Sequence, residues 1–260
     1  MEGIMKIHRQ KALQVFQDYV SKYDYENSMI RLKVEHTYRV SSLCEQIGRS
    51  LSCSEEDIDL AWLIGLLHDI GRFEQQKKYG TFNDALSIDH AQYGADILFG
   101  SKNGNISIRD FVEDDREDGL IWAAVYYHSA YRLPQNLDER TELFCNIIRD
   151  ADKIDILKVN VDFPLEEIYN VTTEELYSCQ VTEEVMNSFY EEHAVLRALK
   201  KTAVDNVVGH ISLVYELVFP ISRQIVKEQG YLERLMNFQS QNEVAKKQFV
   251  QIREKMQVYF

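Results

Sequence analysis

Apolar residues recur at helical spacing along most of the chain. In an early segment, Ile30, Val34, Val40, Leu43 and Ile47 fall at intervals that place them on one face of a helix. No segment alternates apolar and polar residues with the period of two that marks a half-buried strand. With only 3 prolines and 11 glycines, long intervals also lack the residues that interrupt helices. The pattern therefore predicts an all-α fold of about ten helices.

The third predicted helix is apolar on nearly every face. It follows a capping-box pattern at residues 54–57, and its apolar sequence AWLIGLL predicts a helix that continues as far as Phe73. A helix of this kind belongs at the buried centre of a bundle. After a loop predicted over residues 74–88, Asp89 is a candidate N-cap for a helix over residues 90–99.

The rest of the chain continues the helical pattern. The sequence GSKNGN at residues 100–105 predicts a loop. Beyond it, helices are predicted over residues 118–129, 138–159, 183–200, 203–218, 221–237 and 241–258. No shift in composition marks a linker, so we expect a single domain over residues 1–260.

The charge balance limits the kinds of molecule that we expect the protein to bind. The chain carries 29 basic and 42 acidic side chains, which gives a formal net charge of −13. Because binding to a phosphate backbone needs clustered Lys and Arg, this balance argues against a nucleic-acid polymer as partner. A small anionic substrate stays compatible with it, provided that positive groups surround the binding site.

The spacing of the cysteines and the length of the apolar runs predict the cellular compartment of the protein. The 4 cysteines form neither a CxxC pair nor a disulfide framework, which is typical of a reducing environment. The longest apolar run, residues 58–67, is far shorter than the ~20 residues that span a membrane. The first residues lack the apolar core of a signal peptide. We therefore expect a cytoplasmic protein without a membrane partner.

The chain has 7 histidines, and the sharpest pattern among them is His68–Asp69 at the end of the apolar helix. Burying an acid there costs free energy unless a metal ion or another cation compensates its charge. The alternative is a helix end that turns out to solvent, where a histidine complements the helix dipole. His8, His193 and His210 lie in no motif, and we interpret them as structural.

Five elements in order extend this pattern: His36 in VEHTYRV, His68–Asp69 in LLHDIGR, His90 in DHAQYG, His128 in VYYHSA and Asp152 in DADKID. Their order and spacing resemble the HD-domain metal-dependent phosphohydrolase superfamily. The resemblance implies an all-α helical bundle with a metal-binding core at about residues 28–160. The helices over residues 165–258 would complete or extend that bundle.

The resemblance also implies a set of metal ligands. It assigns four side chains to a first ion: His36, His68, Asp69 and Asp152. Asp69 would bridge to a second ion that His90 and His128 also hold. Such ligands suit Fe, Mn, Ni, Co or Zn, and Mg or Mn where oxygen ligands dominate. We favour two divalent ions because both additional histidines are present.

Departures from the family pattern narrow the function. Tyr127 precedes His128, whereas many dinuclear members carry a second histidine there. The Gly-Tyr-Pro signature of the cyclic-di-GMP phosphodiesterases is missing, and so is the Glu-Asp pair that follows the HD motif in the stringent-response hydrolases. We expect neither of these two activities.

The activity that the resemblance implies is hydrolysis of a small phosphorylated metabolite, with a nucleotide favoured, by a metal-activated water. Besides Asp69, the candidate catalytic residues are Arg72 and Lys153, which would contact the phosphate. Arg72 falls four residues after His68, on the same face if the helix continues, and Lys153 directly follows Asp152. For each of the two cations, a salt bridge to a ligand carboxylate is the open alternative.

Two other functions fit the same residues. A branch of the superfamily uses the same six ligands for a mixed-valent di-iron centre that oxidises a C–H bond of a small organic substrate. A regulatory module that binds a nucleotide without turnover is the second alternative, which a complete ligand set disfavours. The apolar C-terminal helices, residues 203–258, either close the core or form the interface of a homodimer.

Overall fold

The computed structural model of the chain describes residues 6–100 and 106–260. Within these ranges the chain forms α-helices and short 3-10 turns but no β-strand, so the prediction of an all-α fold is confirmed. The loop predicted at residues 100–105 lies, after Gly100, outside the described residues. The described residues form fifteen α-helical segments, more than predicted, because four short ones lie between the longer helices: Ile108–Phe111, Leu165–Tyr169, Thr173–Ser178 and Tyr231–Met236.

The chain divides into two compact units, Met1–Asp152 and Lys153–Phe260. Whether the chain is one domain, as we predict, stays a prediction. The helices of the first unit are α1 (Arg9–Val20), α2 (Ser28–Ser50), α3 (Glu55–Leu67), α4 (Ile70–Tyr79), α5 (His90–Phe99), α6 (Ile108–Phe111), α7 (Asp118–Tyr127) and the first part of α8 (Glu139–Asp162). The start of α5 agrees with the prediction, because Asp89 caps it through hydrogen bonds from the Ala91 and Gln92 amides.

The second unit contains the end of α8 and seven more helices. These are α9 (Leu165–Tyr169), α10 (Thr173–Ser178), α11 (Glu183–Tyr190), α12 (Ala203–Ile211), α13 (Pro220–Gln229), α14 (Tyr231–Met236) and α15 (Glu243–Tyr259). The helix predicted over residues 183–200 ends early, and a 3-10 turn, Arg197–Leu199, follows after a gap. The helix predicted over residues 221–237 divides at Gly230, whose φ of 70° ends α13 in the left-handed conformation that glycine tolerates.

The apolar helix also differs from its prediction. It ends at Leu67, and a second helix, α4, begins at Ile70 and runs to Tyr79. The interruption lies at His68–Asp69, where the Asp69 backbone (φ −101°, ψ 16°) leaves the α-helical region. The predicted loop is therefore shorter at its start, because residues 74–79 are helical. Two helices that meet at the His-Asp pair replace the single predicted helix.

Helix α3 is the buried centre of the first unit, as its apolar pattern predicts. Every residue from Leu60 to Leu67 is buried. In spite of this apolar helix, the parts of the chain that the structure describes contain no helix long and apolar enough to cross a lipid bilayer. The apolar run of α3 therefore serves the interior of the unit.

Two glycines bring the site-bearing helices into backbone contact. A Cβ atom at Gly65 would lie 2.6 Å from the Ser41 Cα, so α3 packs directly against α2. A Cβ atom at Gly71 would lie 2.3 Å from the His90 carbonyl oxygen, so α4 packs directly against the start of α5. A larger residue at either position would push the helix pair apart, and with it the histidines and the aspartate that these helices carry.

Candidate metal centre

Four buried histidines from separate helices point their Nε2 atoms at one another. His36 lies within α2, His68 follows α3, His90 opens α5 and His128 follows α7, and each is 3 % exposed or less. The Nε2 atoms of His36 and His68 are 3.3 Å apart. Those of His90 and His128 are 3.1 Å apart. The sequence prediction that these histidines share a site agrees with this geometry.

The Nδ1 atoms of three of these rings are held by acceptors. His68 and His128 each donate from Nδ1 to the carbonyl oxygen three residues earlier, at 2.8 and 2.7 Å. His90 donates from Nδ1 to the Asp84 carboxylate at 2.8 Å. Since these acceptors carry no hydrogen, each Nδ1 bears the proton, and the neutral ring offers a lone pair at Nε2. Burial lowers the pKa of His68, and it lowers the pKa of His90 to about 3.

The facing lone pairs of His90 and His128 favour a cation between them. Two unprotonated Nε2 atoms at 3.1 Å repel each other unless a proton or a metal ion lies between them. Because both Nδ1 positions already hold a proton, a metal ion satisfies both rings without charging either one. This pair therefore fits metal ligation better than it fits a structural contact between two imidazoles.

Asp69 lies between the two histidine pairs and turns one oxygen toward each. Its Oδ2 is 3.4 Å from His68 Nε2 and 3.6 Å from His36 Nε2. Its Oδ1 is 3.4 Å from His90 Nε2 and 3.7 Å from His128 Nε2. This arrangement fits a carboxylate shared by two ions.

Asp152 comes from α8 and joins the first pair. Its Oδ1 is 3.1 Å from His36 Nε2 and 3.8 Å from His68 Nε2, and its side chain is 14 % exposed. Burial opposes the ionisation of Asp152, but the hydrogen bond and charge of His36 hold its pKa well below the usual range. Asp152 therefore presents an ionised carboxylate to the His36–His68 pair.

Sequence reasoning missed Lys33, which contacts Asp69 directly. The Lys33 Nζ is 2.6 Å from Asp69 Oδ2. Burial alone would raise the pKa of Asp69, but the Lys33 ammonium and the His68 ring outweigh it and hold that pKa well below its usual range. The available signal was spacing, because Lys33 precedes His36 by three residues and so shares its helix face.

Arg72 lies beside Asp69, although the helix does not continue unbroken from His68. Its buried Nε is 3.6 Å from Asp69 Oδ1. Its Nη1 donates to Gln75 Oε1, to the Phe82 carbonyl and to Asp84 Oδ1, at 2.7 to 2.8 Å. Arg72 thus ties the segment after α4 to the central carboxylate, and its predicted contact with a phosphate stays a prediction. The same holds for Lys153, the residue after Asp152 in α8.

Sequence reasoning also missed Asp84, which lies in the segment predicted as a plain loop. Besides holding His90 through Oδ2, it accepts a hydrogen bond at Oδ1 from Gln75 Nε2 at 2.9 Å. Burial opposes its ionisation, but the His90 hydrogen bond and the Arg72 charge hold the pKa of Asp84 well below its usual range. An acid six residues before a candidate ligand histidine was the available signal, since ligand histidines are commonly oriented by carboxylates.

The donor set fits divalent metal ions. Among the described residues two groups of donors share Asp69, and the ligand atoms of each lie within 4.8 Å of one another: His36–His68–Asp69 and Asp69–His90–His128. Imidazole nitrogen with carboxylate oxygen suits Fe, Mn, Ni, Co and Zn. All these side chains are buried, which excludes the common case of exposed acids gathered without an ion.

Comparison with known sequences agrees with this geometry. No curated protein and no solved structure matches the chain. Residues 34–157 match the sequence family described as the HD domain. The matched segment contains every residue of the His, His-Asp, His, His and Asp series. This part of the chain is therefore an HD domain, the domain of a superfamily of metal-dependent hydrolases.

Proposed function

We propose that the protein is a metal-dependent phosphohydrolase that cleaves a phosphomonoester or phosphoanhydride bond in a small phosphorylated metabolite, with nucleotides as the favoured substrates. The observation that carries the proposal is the position of Asp69. It offers one oxygen to each histidine pair and has the Lys33 ammonium 2.6 Å from one of those oxygens. A carboxylate between two donor groups supports a pair of ions, and an adjacent ammonium supports an anionic substrate.

The proposed site holds two divalent ions. One would be held by the side chains of His36, His68, Asp69 and Asp152, and the other by those of Asp69, His90 and His128. When bound, such ions supply Lewis acidity at a phosphoryl oxygen and lower the pKa of a coordinated water toward about 7. The rest of the chemistry falls to the side chains of the chain itself.

Those side chains bind the substrate, orient the histidine rings and balance the charge of the site. Asp84 and the backbone carbonyls fix the histidine rings through Nδ1, so that Nε2 is presented without a search over rotamers. Lys33 binds a phosphoryl oxygen of the substrate beside Asp69. Arg72 keeps the segment after α4 in place and puts a positive charge beside Asp69, with its Nε 3.6 Å from Oδ1.

The charge of the cluster suits this assignment. The carboxylates of Asp69, Asp84 and Asp152 outnumber the cations of Lys33 and Arg72 by one. Two divalent ions would therefore make the cluster positive in a chain whose formal net charge is −13. A small phosphorylated molecule is then attracted locally, whereas a nucleic-acid polymer is repelled by the rest of the surface.

A phosphate-release screen tests the proposal. The full-length protein is loaded in turn with Mn, Ni, Co, Fe and Mg and assayed against nucleotides and sugar phosphates, with Asp69→Asn as the inactive reference. Phosphate release that Asp69→Asn abolishes supports the proposal. A mixed-valent di-iron signal in the electron paramagnetic resonance spectrum, together with oxygen consumption and no phosphate release, would instead establish the oxygenase. Nucleotide binding without turnover under every metal would establish the regulatory module.

A further inference from the structure

The second unit contains a lysine whose ammonium has no counter-ion among the described residues. Lys200 follows the 3-10 turn Arg197–Leu199 and precedes α12. Its side chain is partly buried and forms neither a hydrogen bond nor an ion pair with any residue that the structure describes. Burial, followed by the charge of Arg197, lowers the pKa of Lys200 to about 8. A partly buried cation without a partner costs free energy, so its retention needs an explanation.

The end of this side chain is fixed against the backbone of α12. A Cβ atom at Gly209 would lie 2.3 Å from Lys200 Cε and 2.4 Å from its Nζ. The glycine therefore leaves the space that the ammonium occupies. Because the ammonium is packed there, it cannot be treated as a solvated surface group that moves freely among rotamers.

The acid whose charge acts on Lys200 is bonded elsewhere. Asp205 acts on Lys200 only at a distance, through its charge. Its Oδ1 accepts a hydrogen bond from the Thr182 amide at 2.8 Å, and its Oδ2 accepts from the Lys201 and Thr202 amides at 2.8 and 2.9 Å. These bonds cap α12 and hold the carboxylate in place, so Asp205 does not pair with the ammonium.

His210 follows Gly209 in α12, and the charge of Lys200 acts on its ring. The Tyr169 hydroxyl donates to Asn160 Oδ1 at 2.7 Å, so it must accept from His210 Nδ1, which lies 2.9 Å away. The two rings also stack, with centroids 5.5 Å apart. Burial, followed by the charges of Lys200 and Arg197, lowers the pKa of His210 to about 3, so the ring is neutral and its Nε2 carries a lone pair.

The dipole of α12 is the competing explanation, because Lys200 packs near the C-terminal end of that helix. However, the terminal carbonyls are engaged: the Ser212 amide bonds the carbonyl oxygens of Val208 and His210, and its hydroxyl bonds that of Gly209 at 2.7 Å. The remaining partial charge at a helix end is about half an elementary charge, and it makes no hydrogen bond to the ammonium. It reduces the cost of the cation without replacing a counter-ion.

We propose that Lys200 and His210 form a binding site for a small oxyanion, of which inorganic hydrogen phosphate is the best match. Its charged oxygens accept from the Lys200 ammonium, and its remaining hydrogen donates to His210 Nε2. A carboxylate lacks that hydrogen, so it satisfies the lysine but not the histidine. The proposal concerns the second unit alone and holds whether or not the HD domain is a phosphohydrolase.

Nuclear magnetic resonance of ¹⁵N-labelled histidine side chains in the full-length, Mg-loaded protein tests this site. The His210 signals are assigned by their loss in His210→Gln, and phosphate is then titrated in. We expect saturable shifts at His210 in the wild type, and an apparent affinity about ten-fold weaker in Lys200→Met. Lys201→Met is the matched control, because that exposed lysine pairs with Glu184 and should leave the titration unchanged.

Several results would overturn the proposal. One is the absence of a saturable shift at His210 in the wild type, and another is a Lys200→Met titration that matches that of the wild type. An equal affinity for acetate would overturn the assignment to hydrogen phosphate. If Lys200→Met fails to fold, Gly209→Ala takes its place, because the added Cβ displaces the ammonium and should weaken phosphate binding. Gly119→Ala, with open space around its Cβ, is then the control, and equal affinity in both alanine variants would contradict the proposal.

Discussion

The polar clusters of the two units require counter-charges of opposite sign. In the first unit, Asp69 and the Nε2 lone pairs of His68, His90 and His128 are directed inward, which creates a demand for cations. In the second, the charge of Lys200 acts on a neutral histidine, His210, and Asp205, the acid whose charge acts on Lys200, is committed to capping a helix. That creates a demand for an anion. The comparison shows that burial of a histidine alone says little about its role.

What decides the role is the partner of each ring nitrogen. His90 has a carboxylate at Nδ1 and meets another histidine and Asp69 at Nε2. His210 has a neutral tyrosine hydroxyl at Nδ1 and positive groups around it. Both rings are neutral, yet the first is oriented for a metal ion and the second lies in a field that repels one. The interpretation of His210 as structural therefore stands only as far as metal binding is concerned.

Removing the central charge of the first cluster should have the largest effect. Asp69→Asn replaces a shared carboxylate by an amide, so both donor groups lose their common ligand. We expect loss of both ions and a fall in turnover of about a thousand-fold. Elemental analysis after dialysis, together with phosphate release, measures the two effects. Asp59→Asn, whose carboxylate pairs with Arg9, serves as the control, and two retained ions in Asp69→Asn would remove the basis of the contrast.

A smaller and more selective effect is expected at Asp84. Asp84→Asn replaces the carboxylate that orients His90 by an amide, and it leaves the His36–His68 group unchanged. Affinity for one of the two ions should fall about ten- to a hundred-fold, while the other ion is retained. Metal titration followed by elemental analysis would show the stoichiometry moving from two toward one. The exposed Asp96 of α5 provides the control substitution, Asp96→Asn, and an equal loss of both ions would argue that Asp84 supports the fold generally.

A substitution at Lys33 should distinguish substrate binding from metal binding in the first cluster. Lys33→Met removes the ammonium that contacts Asp69 Oδ2, so metal affinity should stay the same or increase. The KM for a phosphorylated substrate should rise about ten-fold, because one charge-assisted hydrogen bond to the phosphate is lost. Steady-state kinetics and metal titration distinguish the two, with the exposed Lys22 changed to Met as the control. A weaker metal affinity with an unchanged KM would make Lys33 a structural partner of Asp69.

The ligand residues could be predicted from the sequence because each stands in a short motif and the motifs follow one order. The start of α5 could also be predicted, since Asp89 is a local capping signal for the helix that carries His90. The break at His68–Asp69 was not, because Ile70 and Phe73 are as buried as the residues of α3 and continue its apolar pattern. The break goes with the close packing of α4 against α5 at Gly71, a tertiary contact that the local pattern does not contain.

The contacts of the residues that surround the ligands could not be predicted from the sequence, for a different reason. Asp84 meets Arg72 across 12 residues and His90 across 6, and Lys33 meets Asp69 across 36. Contacts of this kind depend on how the chain folds back, and a pattern based on local periodicity carries no information about them. In the second unit, the packing of Lys200 against Gly209 could not be predicted from the sequence for the same reason.

The smallest expected effect is a pH dependence of stability in the second unit. In the folded protein the pKa of His210 is lowered to about 3, from an ordinary value of 6.5. Between these two values the unfolded chain binds one more proton than the folded chain, so the free energy of unfolding rises with pH. One such proton contributes up to about 1.4 kcal/mol per pH unit. Stability from the neutral ring is thus complete above about pH 6.5 and decreases as the pH falls toward 3.

Urea unfolding of chelator-treated protein in phosphate-free buffer, at about pH 7 and about pH 5, measures this slope. His210→Gln cannot take up the proton, so its stability should fall less between the two values than that of the wild type. His193→Gln, at an exposed histidine outside this contact, is the matched control and should keep the wild-type slope. A slope in His210→Gln as steep as in the wild type would mean that water reaches the ring freely. The cluster around Lys200 would then need no anion, and the contrast between the two units would rest on the metal ligands alone.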